Sequence, residues 1–276
     1  MLRTLSNPAS ETNWDLFPTS RKDTNPGYTR FSFPDSQVDN LLDECKLREG
    51  DFVINCAGWI PQRATGNSSK ELLDAVLVNA ALPLSLGVSS KNRGLRLISI
   101  GTDCVFSGKH NEDYVEDSPL SPIDFYGTTK ALAEMSYENQ MVLRTSIIGQ
   151  SPRTGKGLFE WFKAQPPHAE IDGYSNHIWN GTSTSFFARV VRGIISNGEF
   201  EAGVQHLVPA DTCSKADLLE MFKKKLGRTD VSVNHSTGQG AVRRVLGTSN
   251  PDRNKFLWEL AGFKAPPTIR EAVASI

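Results

Sequence analysis

Several features that mark large classes of protein are absent from this sequence. Its 276 residues carry 30 basic and 31 acidic side chains, and therefore almost no net charge. Such a balance gives no cationic surface for nucleic acid or for an anionic membrane. We also find no signal-peptide pattern, no apolar run long enough to cross a bilayer, no internal repeat and no low-complexity tract. These absences favour a cytoplasmic protein whose partner is a small molecule.

Cysteine and histidine are too few and too scattered to suggest a metal site. The chain has four cysteines and five histidines. No Cys-x-x-Cys pair occurs, and the histidines lack the spacing that is typical of metal ligands. We therefore predict no bound metal and four reduced thiols, at Cys45, Cys56, Cys104 and Cys213.

Apolar runs alternate with helical patterns along the first half of the chain. Three short apolar runs predict buried strands, at 52–55, 95–100 and 141–144. Asp35 or Ser36 can cap the helix that precedes the first run. Pro83 is expected to interrupt the helical sequence before the second run, because proline cannot donate to a helix. The alternation predicts an α/β fold with a doubly wound parallel sheet.

The stretch from Leu97 to Lys130 contains candidate catalytic residues. Tyr126 and Lys130 are one turn apart on the same face of a helix that begins near Asp124. An ammonium group near a phenol favours the phenolate and so lowers the pKa of the tyrosine. Thr102 follows the preceding strand, where its hydroxyl can hydrogen-bond the carbonyl oxygen that Tyr126 would protonate. The Tyr-x-x-x-Lys spacing is weak evidence by itself, so a chance pair and an ordinary turn threonine stay open.

A set of segments around these residues strengthens the interpretation. The segments are Gly101–Gly108, Glu116-Asp117, Pro119, Asp124–Glu134 and Leu143–Gly149. Together they resemble the extended short-chain dehydrogenases, and in particular the dTDP-4-dehydrorhamnose reductase branch. The likeness is strongest between residues 51 and 149 and weaker elsewhere.

The resemblance implies a fold and an activity. It implies a Rossmann-like cofactor-binding region at 1–150 and a small C-terminal substrate lobe at 151–276, from which some segments return to the core. The implied activity is NADPH- or NADH-dependent reduction of a nucleotide-linked 4-keto-6-deoxy sugar, in cell-surface polysaccharide biosynthesis. Tyr126 would donate the proton, Lys130 would lower the pKa of Tyr126 and hold the nicotinamide ribose, and Thr102 would position the carbonyl. A homodimer is left open.

The same resemblance assigns residues to the cofactor. They are Arg21, Lys22, Cys56, Ala57, Gly58, Asn79, Thr145, Ser146 and Ile147. Arg21 and Lys22 end a short strand expected within 14–22, and cations there favour NADP over NAD because they can accommodate a 2′-phosphate. Asn79 either steadies the backbone of the active site or caps a helix.

Three residues are assigned to the substrate: Asp103, Cys104 and Asn180. Cys104 stands where the best-known reductases of this branch have tyrosine, so the resemblance does not fix the sugar. Asn180 belongs to a polar segment, 172–184, in the lobe. Arg243 and Arg244 lie roughly where the family has a late arginine-containing segment, and an arginine fork suits a diphosphate. Because two surface cations would look the same, we leave both arginines outside the assignment.

The family's first strand and its Gly-x-x-Gly-x-x-Gly turn have no counterpart at the start of this sequence. In a complete domain that turn and the following helix hold the pyrophosphate of the cofactor. Either the sequence begins inside the domain, or the protein has lost this cradle. A regulatory subunit that binds a nucleotide sugar or cofactor without turnover is therefore a second hypothesis. A nucleotide-sugar epimerase or dehydratase is a third.

Overall fold

The structure is a computed structural model that describes residues 14–21, 27–60, 68–134, 139–151 and 155–276. Its strands are β1 (Thr19–Ser20), β2 (Thr29–Arg30), β3 (Phe52–Asn55), β4 (Arg96–Ile100), β5 (Gln140–Arg144), β6 (Ile147–Ile148), β7 (Glu170–Tyr174), β8 (His177–Trp179), β9 (Thr182–Ser183), β10 (Gly203–His206), β11 (Cys213–Ser214), β12 (Ser232–Ser236) and β13 (Val242–Arg244). Its helices are α1 (Val38–Glu44), α2 (Ser69–Val76), α3 (Leu82–Asn92), α4 (Phe125–Leu132), α5 (Leu158–Lys163), α6 (Thr184–Asn197), α7 (Lys215–Leu226), α8 (Pro251–Leu260) and α9 (Ile269–Ala274).

Four strands form a central parallel sheet in the order β10-β5-β4-β3. The apolar sequence of β4 explains its central place, since Leu97 and Ile98 point to opposite faces and both are fully buried. Helices α1 and α3 cover the face of Leu97. Helices α6 and α8 cover the face of Ile98. This is the doubly wound α/β arrangement that the alternating sequence predicts.

The later part of the chain adds a second group of small sheets. Strand β8 lies between β11 and β13, and β12 pairs with β7. Their apolar side chains form a second core with α5, α7 and α9. The polar segment at 172–184 holds the end of β7 together with β8 and β9, and its Trp179 is buried in this core. Strand β10 and helices α6 and α8 return to the central sheet, and the boundary at residue 150 stays a prediction.

Helices α2 and α3 are joined by a π-helical turn, Leu77–Ala81, into one helix over Ser69–Asn92. The interruption expected at Pro83 does not occur, because proline in the first turn of α3 follows this wider turn. An 18-residue window of the helix has a mean hydropathy of 1.7, so by length and composition alone it could cross a membrane, contrary to our expectation. In the fold, its Leu82 and Leu86 pack against Leu97 of β4.

Two predicted element ends differ from the structure. The residue that precedes α1 is Gln37, which makes no side-chain cap, so neither Asp35 nor Ser36 is the N-cap. The strand expected within 14–22 is reduced to β1. Helix α4 begins directly after Asp124, as expected.

Candidate active site

The carboxyl ends of β3, β4 and β5 lie side by side at one edge of the central sheet. Their register pairs Asn55 with Ser99, and Ile100 with Leu143. Open parallel sheets bind their ligands at this edge. Three segments with predicted site residues leave the strands here, at 56–59, 101–105 and 145–147.

Thr102 is fixed by a short 3₁₀ turn that follows β4. Its hydroxyl caps the turn by accepting a hydrogen bond from the Cys104 backbone N–H at 3.2 Å. The same hydroxyl donates to Oδ1 of Asp103 at 3.3 Å. Thr102 is only 6% exposed, and these two hydrogen bonds hold its side chain at the strand end.

The start of α4 brings Tyr126 to the same place. Asp124 caps the helix, because its Oδ1 accepts a hydrogen bond from the Gly127 N–H at 2.7 Å. A Cβ at Gly127 would lie 2.1 Å from the carbonyl oxygen of Cys104. Glycine after Tyr126 therefore lets the helix touch the turn that carries Thr102. The Thr102 side chain lies near enough to the Tyr126 phenol to lower the pKa of that phenol.

Lys130 points from α4 to the end of β4. Its Nζ donates a 2.7 Å hydrogen bond to the carbonyl oxygen of Ile100. Burial lowers the pKa of Lys130, and the carboxylate of Glu134 opposes that shift. The structure thus brings Thr102, Tyr126 and Lys130 together, as the sequence predicts.

The pKa of Tyr126 does not move in the expected direction. Burial raises the pKa of the phenol strongly, and Cys104 raises it further, whereas the Thr102 side chain lowers it. Our expectation that Lys130 lowers this pKa overlooked the loss of water around the ring. In the protein by itself Tyr126 is a protonated phenol.

Asp103 and Cys104 lie beside Thr102 in the 3₁₀ turn. Asp103 is 5% exposed, and burial raises the pKa of its carboxyl while Lys215 and Arg244 lower it. Burial also raises the pKa of the Cys104 thiol, to about 12. Cys104 is therefore a neutral, partly buried contact group in this site.

Two cations from the later part of the chain lie beside these residues, and the sequence assigned neither of them to the site. Nη1 of Arg244 lies 3.5 Å from Sγ of Cys104, and Nη2 lies 3.8 Å from Oδ2 of Asp124. Nζ of Lys215 lies 4.7 Å from the ring centroid of Trp179. The place of Lys215 near the site could not be predicted from the sequence, because a lysine at the start of a helix usually faces solvent.

Asn79 connects the turn after β3 to α4. Its Oδ1 accepts from the Trp59 N–H at 2.8 Å, and its Nδ2 donates to the Trp59 carbonyl at 3.0 Å. Nδ2 also lies 3.1 Å from Oγ1 of Thr129. Asn79 lies within the π-helical turn and is 1% exposed, so it supports the site backbone and is not a helix cap.

The turn after β3 leaves room for a ligand. Cys56 and Ala57 are exposed, and among the described residues no heavy atom beyond the two chain neighbours of Gly58 lies within 4 Å of the place that a Gly58 side chain would take. Arg21 is exposed directly after β1, whereas Lys22 lies outside the described residues. The four described residues of this set are therefore accessible to a cofactor.

The segment after β5 is tied to the later chain. Oγ of Ser146 accepts a 2.7 Å hydrogen bond from Nε1 of Trp179, and its carbonyl oxygen accepts from the Thr182 N–H at 2.8 Å. A Cβ at Gly181 would lie 2.4 Å from that carbonyl and from the Trp179 ring. The Ser146 side chain therefore holds Trp179 in place. Its neighbours Thr145 and Ile147 lie at the same strand end.

Asn180 has a structural partner. Its Oδ1 accepts from the Leu246 N–H at 2.9 Å, and its Nδ2 donates to the Leu246 carbonyl at 2.8 Å. The side chain is 2% exposed. The amide thus fastens β8 to the segment after β13, and this geometry does not support the predicted substrate contact.

A buried ion pair anchors α4 beneath the site. Nη2 of Arg144 lies 2.6 Å from Oε2 of Glu134, and both side chains are at most 2% exposed. Nη1 of Arg144 lies 2.7 Å from Nε2 of His206, whose Nδ1 lies 2.7 Å from the carbonyl oxygen of Gly247. Since Arg144 can only donate and the carbonyl can only accept, His206 carries its proton on Nδ1 and is neutral.

Metal and disulfide chemistry have no visible basis in the described ranges. No group of three or more His, Cys, Asp or Glu side chains there could hold a metal ion. The four cysteines are free thiols.

Comparison with known proteins identifies relatives in sugar metabolism. The spore coat polysaccharide biosynthesis protein SpsK of Bacillus subtilis (strain 168) is 28% identical over 187 residues, which are 63% of this chain and 63% of the relative. The dTDP-4-keto-6-deoxy-D-glucose reductase of Streptomyces niveus is 26% identical over 183 residues, which are 63% of this chain and 60% of the relative. The chain thus matches about three-fifths of the length of these relatives.

A solved structure shares the fold. The dTDP-4-dehydrorhamnose reductase of Bacillus anthracis str. Ames in complex with NADP superimposes with a TM-score of 0.67 and 19% identity, over 92% of this chain and 91% of that chain. The sequence family described as the RmlD substrate binding domain matches residues 3–275. Because that match spans nearly the whole chain, the protein belongs to the RmlD substrate binding domain family.

Proposed function

We propose that this protein is a cytoplasmic reductase of a 4-keto-6-deoxy sugar carried on a nucleoside diphosphate, with NADPH as hydride donor, in polysaccharide biosynthesis. One observation carries the proposal: Thr102, Tyr126 and Lys130 converge at the carboxyl end of β4. The family match and a relative named as a dTDP-4-keto-6-deoxy-D-glucose reductase support the substrate class.

The residues at this sheet edge fit a dinucleotide. We assign Cys56, Ala57 and Gly58 to the adenosine side, because their turn is open and exposed. Arg21 is exposed after β1 and can pair with a 2′-phosphate, which favours NADP. Thr145 and Ile147, with the backbone of Ser146, belong to the nicotinamide side. The related reductase of Bacillus anthracis was solved with NADP, in agreement with this choice.

Each of the three side chains then has its own role in reduction of the carbonyl. When bound, NADPH would supply a hydride to the keto carbon. Tyr126 donates its proton to the carbonyl oxygen as negative charge develops there, and the raised pKa keeps the phenol protonated until that moment. The ammonium of Lys130 stabilises the phenolate that remains. Thr102 turns its hydroxyl from Asp103 to the same carbonyl oxygen when substrate binds.

Replacing Tyr126 by phenylalanine tests the proposal. Turnover would be followed as NADPH oxidation with dTDP-4-dehydrorhamnose and with dTDP-4-keto-6-deoxy-D-glucose. Loss of the proton donor should lower kcat at least about a hundredfold, while NADPH affinity stays unchanged. The control is Tyr174→Phe, since Tyr174 is 42% exposed on β7. Turnover by Tyr126→Phe close to that of the control would refute the assignment.

The same assay separates the two other hypotheses. An epimerase or dehydratase would convert a nucleotide sugar without consuming added NADPH. A regulatory subunit would bind one of these ligands and turn over none of them.

A further inference from the structure

The buried hydroxyl of Thr129 lies between two parts of the candidate active site. Thr129 directly precedes Lys130 in α4, and its side chain is 1% exposed. The neighbouring Thr128 is exposed on the same helix. A hydroxyl that is buried this completely takes its hydrogen-bond partners from the protein. The partners of Thr129 therefore show which elements it joins.

The Thr129 hydroxyl joins α4 to the π-helical turn. Its Oγ1 donates a 2.9 Å hydrogen bond to the carbonyl oxygen of Tyr126. Nδ2 of Asn79 donates to the same Oγ1 at 3.1 Å. A hydroxyl has one hydrogen to donate, and a carbonyl oxygen and an amide N–H fix the direction of both bonds. Thr129 thus bridges the backbone of Tyr126 and the side chain of Asn79.

Asn79 extends this link to the turn after β3, residues 56–59, which we call the cofactor turn. Its Oδ1 accepts from the Trp59 N–H at 2.8 Å, and its Nδ2 donates to the Trp59 carbonyl at 3.0 Å. The two hydrogens of Nδ2 are therefore both used, one for Trp59 and one for Thr129. The backbone of the cofactor turn is thus connected to the backbone of Tyr126 through two buried side chains.

Tyr126 is the residue whose placement decides the proposed proton transfer. Close packing of Gly127 against the Cys104 carbonyl brings α4 to the turn that carries Thr102. The hydrogen bond from Thr129 attaches the Tyr126 backbone to the cofactor turn as well. A displacement of about 1 Å at a reacting group can lower the rate about a hundredfold. Loss of a bond that fixes this backbone should therefore slow turnover.

We propose that Thr129 is a positioning residue, whose hydroxyl keeps Tyr126 in place relative to the cofactor turn. This role rests on the proposed function, because it acts through Tyr126. Without the hydroxyl, the Tyr126 carbonyl loses a donor and one N–H of Asn79 loses its acceptor. Both hydrogen bonds between Asn79 and Trp59 remain. The effect should therefore fall on the rate of reduction and not on the affinity for NADPH.

Thr129→Val tests this inference, because valine keeps the branched shape of the side chain and lacks the hydroxyl. We measure NADPH binding by titration and NADPH oxidation with dTDP-4-dehydrorhamnose and with dTDP-4-keto-6-deoxy-D-glucose, and express kcat per NADPH-binding site. Thr129→Val should lower this kcat at least about fivefold and leave NADPH affinity unchanged. Thr129→Ser, which keeps the hydroxyl, should recover most of the loss.

Thr128→Val is the matched control. It makes the same change one residue earlier, at an exposed side chain whose hydroxyl donates to the Asp124 carbonyl at 3.0 Å. Its kcat and NADPH affinity should equal those of wild type. Counting NADPH-binding sites removes any contribution from unfolded protein. If Thr129→Val does not fold, Thr129→Ala takes its place, since it also lacks the hydroxyl.

Three outcomes would overturn the role of Thr129 and leave the proposed function intact. One is a wild-type kcat per site in the variant without the hydroxyl. Another is a loss in Thr129→Ser as large as in Thr129→Val, since the shape of the side chain and not its hydroxyl would then matter. The third is an equal loss of kcat and of NADPH affinity, which would place the role in the cofactor turn alone. If wild type oxidises no NADPH with either nucleotide sugar, the proposed function is refuted, and the role of Thr129 is refuted with it.

Discussion

His206 should make the stability of this protein depend on pH between about 6.5 and 4. Burial lowers its pKa from 6.5 to about 4, and the neighbouring Arg144 lowers it as well. The unfolded chain therefore takes up a proton on this histidine at a pH where the folded chain does not. Because the folded pKa is depressed, the stabilisation is complete above pH 6.5 and is lost as the pH falls to about 4.

The size of this effect follows from the shift. A change of pKa from 6.5 to about 4 corresponds to about 3 kcal/mol of unfolding free energy. Glu116 acts in a lower range, because hydrogen bonds from Ser249 and Thr248 lower its pKa from 4.5 to about 2. Its stabilisation is present above pH 4.5 and disappears only as the pH falls to about 2, so the two windows overlap only between about pH 4 and 4.5.

Urea unfolding at a series of pH values measures the prediction. His206→Gln keeps an oxygen that can accept from Arg144 and has no group that titrates, so its unfolding free energy should lose the slope between pH 6.5 and 4. His235→Gln is the control, because His235 is exposed on β12. An equal slope in wild type and His206→Gln would refute the view that His206 is neutral and buried beside Arg144.

Two further variants test how α4 is held. Gly127→Ala puts a Cβ 2.1 Å from the Cys104 carbonyl oxygen, so we expect a loss of about 1–3 kcal/mol in unfolding free energy. We also expect a lower kcat, because Tyr126 moves away from Thr102. A wild-type kcat in this variant would contradict the reasoning. Glu134→Gln leaves Arg144 without its buried partner and should cost about 3–5 kcal/mol in urea unfolding, whereas a loss below about 1 kcal/mol would mean that the pair is solvated.

The sequence predicts the fold well where a single physical cause dominates. Strands buried on both faces need continuous apolar runs, and β3, β4 and β5 therefore appear where those runs occur. The helix through Pro83 was missed because an extra residue in a π-helical turn leaves no mark in the hydrophobic pattern. The strands of the lobe were missed because β7 is short and polar on its exposed face.

The candidate site was predictable only in part. The spacing of Tyr126 and Lys130 fixes a shared helix face, and the end of β4 fixes Thr102. Burial is a property of the whole fold, so the sequence could not give the direction of the pKa shift at Tyr126. Nor could it show that Lys215, far along the chain, faces Asp103.

The seam that Ser146 forms with Trp179, Gly181 and Thr182 limits how this protein could be re-engineered. Ser146, Trp179 and Thr182 interlock through two hydrogen bonds, and Gly181 is packed too closely to carry a side chain. A chimaera in which the later part of the chain comes from a relative would lose these contacts, unless the segment around Ser146 and the segment 179–182 were replaced together. With the proposed function, sugar preference depends on both sides of this seam, and libraries built to alter it should vary both sides at once.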